Sequence, residues 1–200
     1  MRDDNDGEVR NHLVFIREFL RHPRQVQSVI PSSQFLRRRI VEAAGAASSR
    51  LVVELGPGTG STTRALLRAM PPDARLLSVE INPVLHRLVS AIDDRRLVAH
   101  LGDASELGQI LAGYGMPAPD AVVSGIPFSA IDRATGARIL EAIAGLLAPG
   151  GRFVAYQVRD TVASLCPPRL SLDQVETELL NIPPMRVYRW EKAPMQAEVF

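Results

Sequence analysis

Apolar positions along this chain fall into two regimes, helical spacing before residue 50 and compact strand-length runs after it. Between residues 8 and 22, Val9, Leu13, Ile16 and Leu20 recur at helical intervals, flanked by Phe15 and Phe19, with Arg10, Arg17 and Arg21 on the opposite side. That spacing predicts an amphipathic helix, ended by Pro23. Pro31-Ser32-Ser33 then punctuates the chain. A serine there is placed to cap a second helix carrying Phe35, Leu36, Ile40 and Val41, which stops near Gly45. From Leu51 onward the pattern predicts strands at 51–55, 75–80, 97–101, 120–124 and 152–157. Helices are predicted at about 60–70, 83–92, 104–113 and 133–147, two of them stopped by Pro71-Pro72 and Pro149-Gly150-Gly151. Strands of Val and Leu without strict alternation imply a parallel sheet buried on both faces, hence a doubly wound α/β domain. Near the end, Val175, Thr177 and Leu179 alternate with Glu176 and Glu178, Asn181-Ile182-Pro183-Pro184 turns the chain, and Val187, Tyr188 and Trp190 open another strand. This predicts an antiparallel hairpin, 174–181 with 186–192, on one sheet edge, bringing the sheet to seven strands.

Composition narrows the class. With 46% apolar and 22% charged residues over 200 positions, the chain reads as one globular domain with a proper core. No apolar run approaches the roughly 18 residues a membrane span requires. The opening Met-Arg-Asp-Asp-Asn-Asp is too polar for a secretory signal. Cys166 stands alone and the four histidines are scattered, so neither a disulfide nor a metal site is expected, and a reducing cytoplasmic setting is the default. The net charge of +1 hides an asymmetry: eight arginines between Arg10 and Arg50 face only Glu18 and Glu42, and Lys192 is the sole lysine. Guanidinium groups suit a phosphorylated surface, although a solvated arginine face would read the same way.

The candidate chemistry sits where the first strand ends. Leu51 to Gly60 reads Leu-Val-Val-Glu-Leu-Gly-Pro-Gly-Thr-Gly, and Glu80 closes the next apolar run. Strand, glycine turn, helix, strand and terminal acid make a βαβ unit that grips an adenosine-containing cofactor, the acid accepting hydrogen bonds from ribose hydroxyls. Gly56, Gly58 and Gly60 follow G-x-G-x-G rather than the nicotinamide G-x-G-x-x-G, and Glu54 beside them suits a cationic ligand better than a pyrophosphate. S-adenosylmethionine, with its sulfonium and ammonium, is such a ligand.

These residues resemble the first motif of the class I methyltransferases, E-x-G-x-G-x-G. The resemblance implies a Rossmann-like domain over 49–200 behind an N-terminal helical extension over 1–48, and S-adenosylmethionine as cofactor. It implies a donor site of Gln34, Glu54, Gly56, Pro57, Gly58, Thr59, Gly60, Glu80, Ile81, Gly102, Asp103, Ala104 and Ser124. Asp103 would meet the adenine amino group and Ile81 the adenine face. The methyl acceptor would lie against Ile30, Pro31, Ser124, Gly125, Ile126, Pro127 and Phe128, because open α/β sheets bind ligands beyond the carboxyl ends of their strands.

Phe15 through Ser33, the E-L-G-P-G-T-G run, Ser124-Gly125-Ile126-Pro127 and the final hairpin resemble bacterial phosphatidylethanolamine N-methyltransferases over nearly the whole chain. That likeness implies methylation of a phospholipid amine, with the N-terminal helix peripheral to the inner face of the membrane. Ile126 and Phe128 stand where leucines are more usual. An amphipathic helix flanked by arginines can lie among lipid headgroups, or fold over the cofactor cleft with its apolar face inward. A second, partial likeness is to rRNA adenine N6-methyltransferases, through Gly-Pro-Gly and Ser33-Gln34-Phe35-Leu36. Gly125 stands where their Asn-Ile-Pro-Phe motif has asparagine, and the chain has no lysine-rich tract, so no nucleic-acid partner is expected. An RNA or small-amine methyltransferase, or a non-catalytic cofactor-binding protein of this fold, are the alternatives. His22, Tyr114, Tyr156 and Asp160 are titratable candidates for a general base; none is assigned.

Overall fold

The computed structural model describes residues 33–181 and 183–194. The predicted helix over 8–22, and the candidate acceptor residues Ile30 and Pro31, lie outside them. Ser33 caps the first described helix, α1 (Gln34–Ala44), its hydroxyl accepting from the Leu36 amide at 3.1 Å. Gly45 ends it in the left-handed region (φ +62°), where a side chain would be strained. Leu36, Ile40 and Ala44 form its buried stripe, and a 3-10 turn, Ala46–Ser48, leads into the sheet.

The elements that follow are β1 (Leu51–Leu55), α2 (Ser61–Ala69), β2 (Arg75–Glu80), α3 (Pro83–Ser90), β3 (Leu97–Leu101), a 3-10 turn (Ala104–Glu106) running into α4 (Leu107–Gly113), β4 (Ala121–Ser124), α5 (Arg133–Leu146), β5 (Arg152–Gln157), α6 (Thr161–Leu165), β6 (Leu170–Glu178) and β7 (Met185–Lys192). They build one seven-stranded sheet in the order β3-β2-β1-β4-β5-β7-β6. The first five strands are parallel, while β7 runs antiparallel to both β5 and β6. Strand order reverses between β1 and β4, and the crevice at that point is where such sheets hold ligands.

Helices cover both faces, as the unbroken apolar strands require. On one side Val52, Leu76, Val123 and Val154 meet Leu36 and Ile40 of α1 and Leu66 of α2. On the other Val53, Leu77, Val122 and Phe153 meet Leu107 of α4 and Leu140 and Ile143 of α5. Phe153, Trp190 and Tyr188 stack in series at the β5–β7 junction, with centroid separations of 5.2 and 5.4 Å.

The last hairpin differs from expectation at one end. Its first strand spans 170–178 rather than 174–181, and α6 precedes it. The strand is a sheet edge, and a register shift between Leu172 and Gln174 breaks its alternation, so period two becomes legible only from Val175. Leu179 and Leu180, apolar enough to read as strand, form the exposed tip instead.

Candidate functional site

The glycine turn closes against its neighbours through the backbone. The Gly56 amide donates to the Val79 carbonyl (3.0 Å) and the Gly125 amide to the Leu55 carbonyl (2.8 Å), so the ends of β1, β2 and β4 are stitched together. Gly56, Gly58 and Gly60 have φ of +69°, +59° and +81°, values that side chains rarely adopt. Pro57 and Gly60 are buried, and Thr59 is half-exposed. Gly60 caps α2, whose N-terminal amides face the turn.

Two carboxylates lie under and beside this turn. Glu54 is fully buried on β1. Its Oε2 accepts from the hydroxyls of Thr63 (2.6 Å) and Ser78 (3.0 Å), while its Oε1 has no hydrogen-bond partner among the described residues. Burial pushes its carboxyl up to about 7, against the pull of those hydroxyls and with a further push from the nearby Glu80. Glu80, at the end of β2, accepts from the Asn82 amide (2.9 Å) on Oε1 and from the Gly58 amide (3.2 Å) on Oε2. Burial raises its pKa too, opposed by the amides it accepts from. An unpartnered buried oxygen and two desolvated acids fit a ligand that is cationic and carries hydrogen-bond donors. The residues present therefore suit a sulfonium donor bearing an ammonium and a ribose.

The third and fourth strands finish the rim. Asp103 follows β3 and accepts from the Ser105 amide at 2.8 Å. Gly102 is held close to His100, whose Nε2 would lie 2.6 Å from an added Cβ. Ile81 and Leu101 are exposed apolar groups on the same edge, and Ala104 is buried beneath. Ser124 is buried, and its hydroxyl accepts from the Ile126 amide at 3.3 Å, bracing the turn after β4. Gly125, Ile126 and Pro127 are half-exposed there. Phe128 is different: it sits in the core beneath α5, so its side chain supports the turn and does not line a cleft. Gln34 opens α1 as an exposed residue.

Residues that sequence reasoning did not assign to the donor or acceptor site complete the floor. Gln157 clamps the fourth-strand turn from both sides, donating to the Ile126 carbonyl (2.8 Å) and accepting from the Phe128 amide (3.2 Å). Thr63 and Ser78 share the Glu54 carboxylate. Tyr156 fills the space next to Gly125: a Cβ there would run into the tyrosine ring and stand 2.7 Å from the Gly56 carbonyl oxygen. Burial raises the Tyr156 hydroxyl, which also hydrogen-bonds Thr62. It stays protonated at neutral pH. Of the other candidate bases, Tyr114 bonds His100 (3.1 Å) and Asp160 pairs with Arg186 (3.8 Å). His22 lies outside the described residues. Among the described residues no cluster of three or more His, Cys, Asp or Glu could hold a metal.

Glycine cradle, strand-end acids and the reversed seventh strand define a methyl-donor fold. No family model matches the chain. An ornithine lipid N-methyltransferase of Singulisphaera acidiphila is 31% identical over 147 residues, covering 72% of this chain and 77% of that protein. A ribosomal RNA small subunit methyltransferase A of Laribacter hongkongensis is 45% identical over 71 residues, but that stretch is 35% of this chain and only 26% of the relative. Among solved structures, the O-methyltransferase TomG of Streptomyces achromogenes in complex with SAM superposes with a TM-score of 0.66 at 15% identity, over 90% of this chain and 86% of that one. The chain belongs to the class I S-adenosylmethionine-dependent methyltransferases. Its donor is S-adenosylmethionine.

Proposed function

We propose that the enzyme methylates the headgroup amine of a membrane lipid, phosphatidylethanolamine being the phospholipid form of that chemistry. The observation that carries this reading is the match to a lipid N-methyltransferase across most of both chains. Gly125 supports it. The rRNA adenine enzymes resembled above place an asparagine at that position, and here Tyr156 and the Gly56 carbonyl leave no room for any side chain.

When bound, the donor supplies an electrophilic methyl group on sulfur. The chain's own contribution is placement and exclusion of water. Glu80 would hold the ribose and Asp103 the adenine amine, while Glu54, through its unpartnered Oε1, would balance the ammonium end. The turn Gly125-Ile126-Pro127, fixed by Gln157 and Ser124, borders the space an acceptor must enter. An attacking nitrogen needs to lie about 3–3.5 Å from the methyl carbon, in line with the S–CH3 bond, and to be neutral. The arginine-bearing segment before Ser33 would bring the enzyme to anionic lipid at the inner face of the membrane, each basic residue near that surface contributing roughly 1 kcal/mol.

Incubation with methyl-labelled donor, a bacterial lipid extract and ribosomal RNA, followed by fractionation, tests the reading. Label in an amine lipid is expected, and parallel reactions with pure phosphatidylethanolamine and pure ornithine lipid separate the two headgroups. Label confined to RNA or to soluble amines would overturn it.

A further inference from the structure

Six of the nine exposed large apolar side chains among the described residues gather on one edge of the sheet. Phe35, Ile81, Leu101, Val158, Leu179 and Leu180 all sit at the carboxyl ends of the parallel strands or at the hairpin end beside them, the edge that carries the glycine turn. Ile81 and Leu101 flank the donor site. The remaining four lie beyond β5 toward the β6–β7 tip, where Leu179 is 72% and Leu180 66% exposed.

The tip is held in that form from beneath. Buried Glu178 accepts from the Leu180 amide (2.8 Å) and pairs with Arg39 of α1 (2.7 Å). Buried Asn181 donates to the Pro183 carbonyl (3.0 Å) and accepts from the Ser33 amide (3.0 Å). Polar groups thus turn inward to support a turn whose two leucines point out, the reverse of an ordinary surface loop. Exposed Pro183 and Pro184 lengthen the projection, and Arg159 and Arg186 stand near Val158 on the adjoining strand ends.

We propose that this tip, Leu179 and Leu180 with Phe35 beside them, inserts into the headgroup layer of an anionic lipid bilayer and holds the acceptor turn against it. The inference rests on the lipid-acceptor reading above. Three features favour a bilayer as the occupant. The patch projects as a narrow hairpin tip, which a fluid surface accommodates. Ser33, tied to Asn181, sets the first described residue beside the leucines, and the arginine-bearing residues 1–32 precede it directly in the chain. The β6–β7 tip is two to three strand spacings from the end of β4, roughly 10–15 Å, which keeps the acceptor turn near the headgroups when the tip is seated.

Leu180→Trp in the full chain tests this directly, because Trp190, the sole native tryptophan, is buried. On vesicles of phosphatidylglycerol and phosphatidylethanolamine, the added tryptophan is expected to shift to the blue and to be quenched by acyl-chain-brominated lipid. Leu179→Asp with Leu180→Asp is expected to lower the vesicle-bound fraction about tenfold or more, while calorimetric donor affinity verifies the fold. A blue-shifted spectrum already present without vesicles would mean that residues 1–32 or a second copy cover the tip, and would overturn the proposal. So would co-sedimentation with no shift. Quenching without methyl transfer to lipid would remove the lipid-acceptor reading and leave the tip as a bilayer contact; transfer to lipid without quenching would do the opposite.

Discussion

Replacing Glu54 by Gln should make the donor-free enzyme more stable at neutral and higher pH while weakening its grip on the donor. Glu54 is fully buried, with hydroxyl donors on one oxygen and none on the other. Raising its carboxyl from 4.5 to about 7 corresponds to about 3 kcal/mol held against the ionised form. Because the folded pKa lies above the unfolded one, the folded chain retains this proton longer. The stability it contributes is complete below pH 4.5 and disappears as pH rises to about 7. Urea titrations at pH 5 to 8 should therefore show the parent losing up to about 3 kcal/mol relative to Glu54→Gln, with little difference between them at the acid end. Donor binding has the opposite slope. The ionised carboxylate is the form that attracts a cation, so calorimetric Kd for the parent should improve about tenfold per pH unit up to pH 7 and level off above it. In the glutamine variant Kd should be at least tenfold weaker and nearly independent of pH. If both proteins show the same pH slopes in both measurements, Glu54 is not the group that titrates and its carboxylate does not face the donor's charge.

Other expectations follow from single contacts. Gly125→Ala should weaken donor binding or destabilise the fold by about 1–3 kcal/mol, because the new methyl meets the Gly56 carbonyl at 2.7 Å as well as the Tyr156 ring; adding Tyr156→Phe should recover only part of the loss, and full recovery would show that the backbone clash is harmless. Gln157→Leu strips both partners from the 126–128 turn and should cost about 2–4 kcal/mol in urea titrations, with a larger fall in turnover than in donor affinity. Deleting residues 1–24 should abolish co-sedimentation with anionic liposomes while donor affinity survives; unchanged co-sedimentation would remove the N-terminal segment from the membrane contact.

What the chain discloses depends on how far apart the cooperating residues lie. Local signals translated directly: Ser33 caps α1, Gly45 ends it, and each parallel strand emerges within a residue of its apolar run. The glycine turn is likewise local, since three positive-φ positions in five residues tolerate little else. The hairpin failed where a bulge hid the period and where the two most exposed leucines imitated strand residues. The floor of the site was out of reach for a different reason. Glu54 meets hydroxyls 9 and 24 residues away, and Gln157 meets a turn about 30 residues before it. Gly125 shows the limit most clearly. Read along the chain, it is a missing asparagine. In three dimensions it is one half of a pair, for Tyr156 and the Gly56 carbonyl already fill the space that any side chain would enter. A substitution that tried to restore an adenine-orienting amide at 125 would first have to remove the tyrosine. The residue at position 125 is therefore constrained by β4 and β5 together and cannot be changed by one substitution alone.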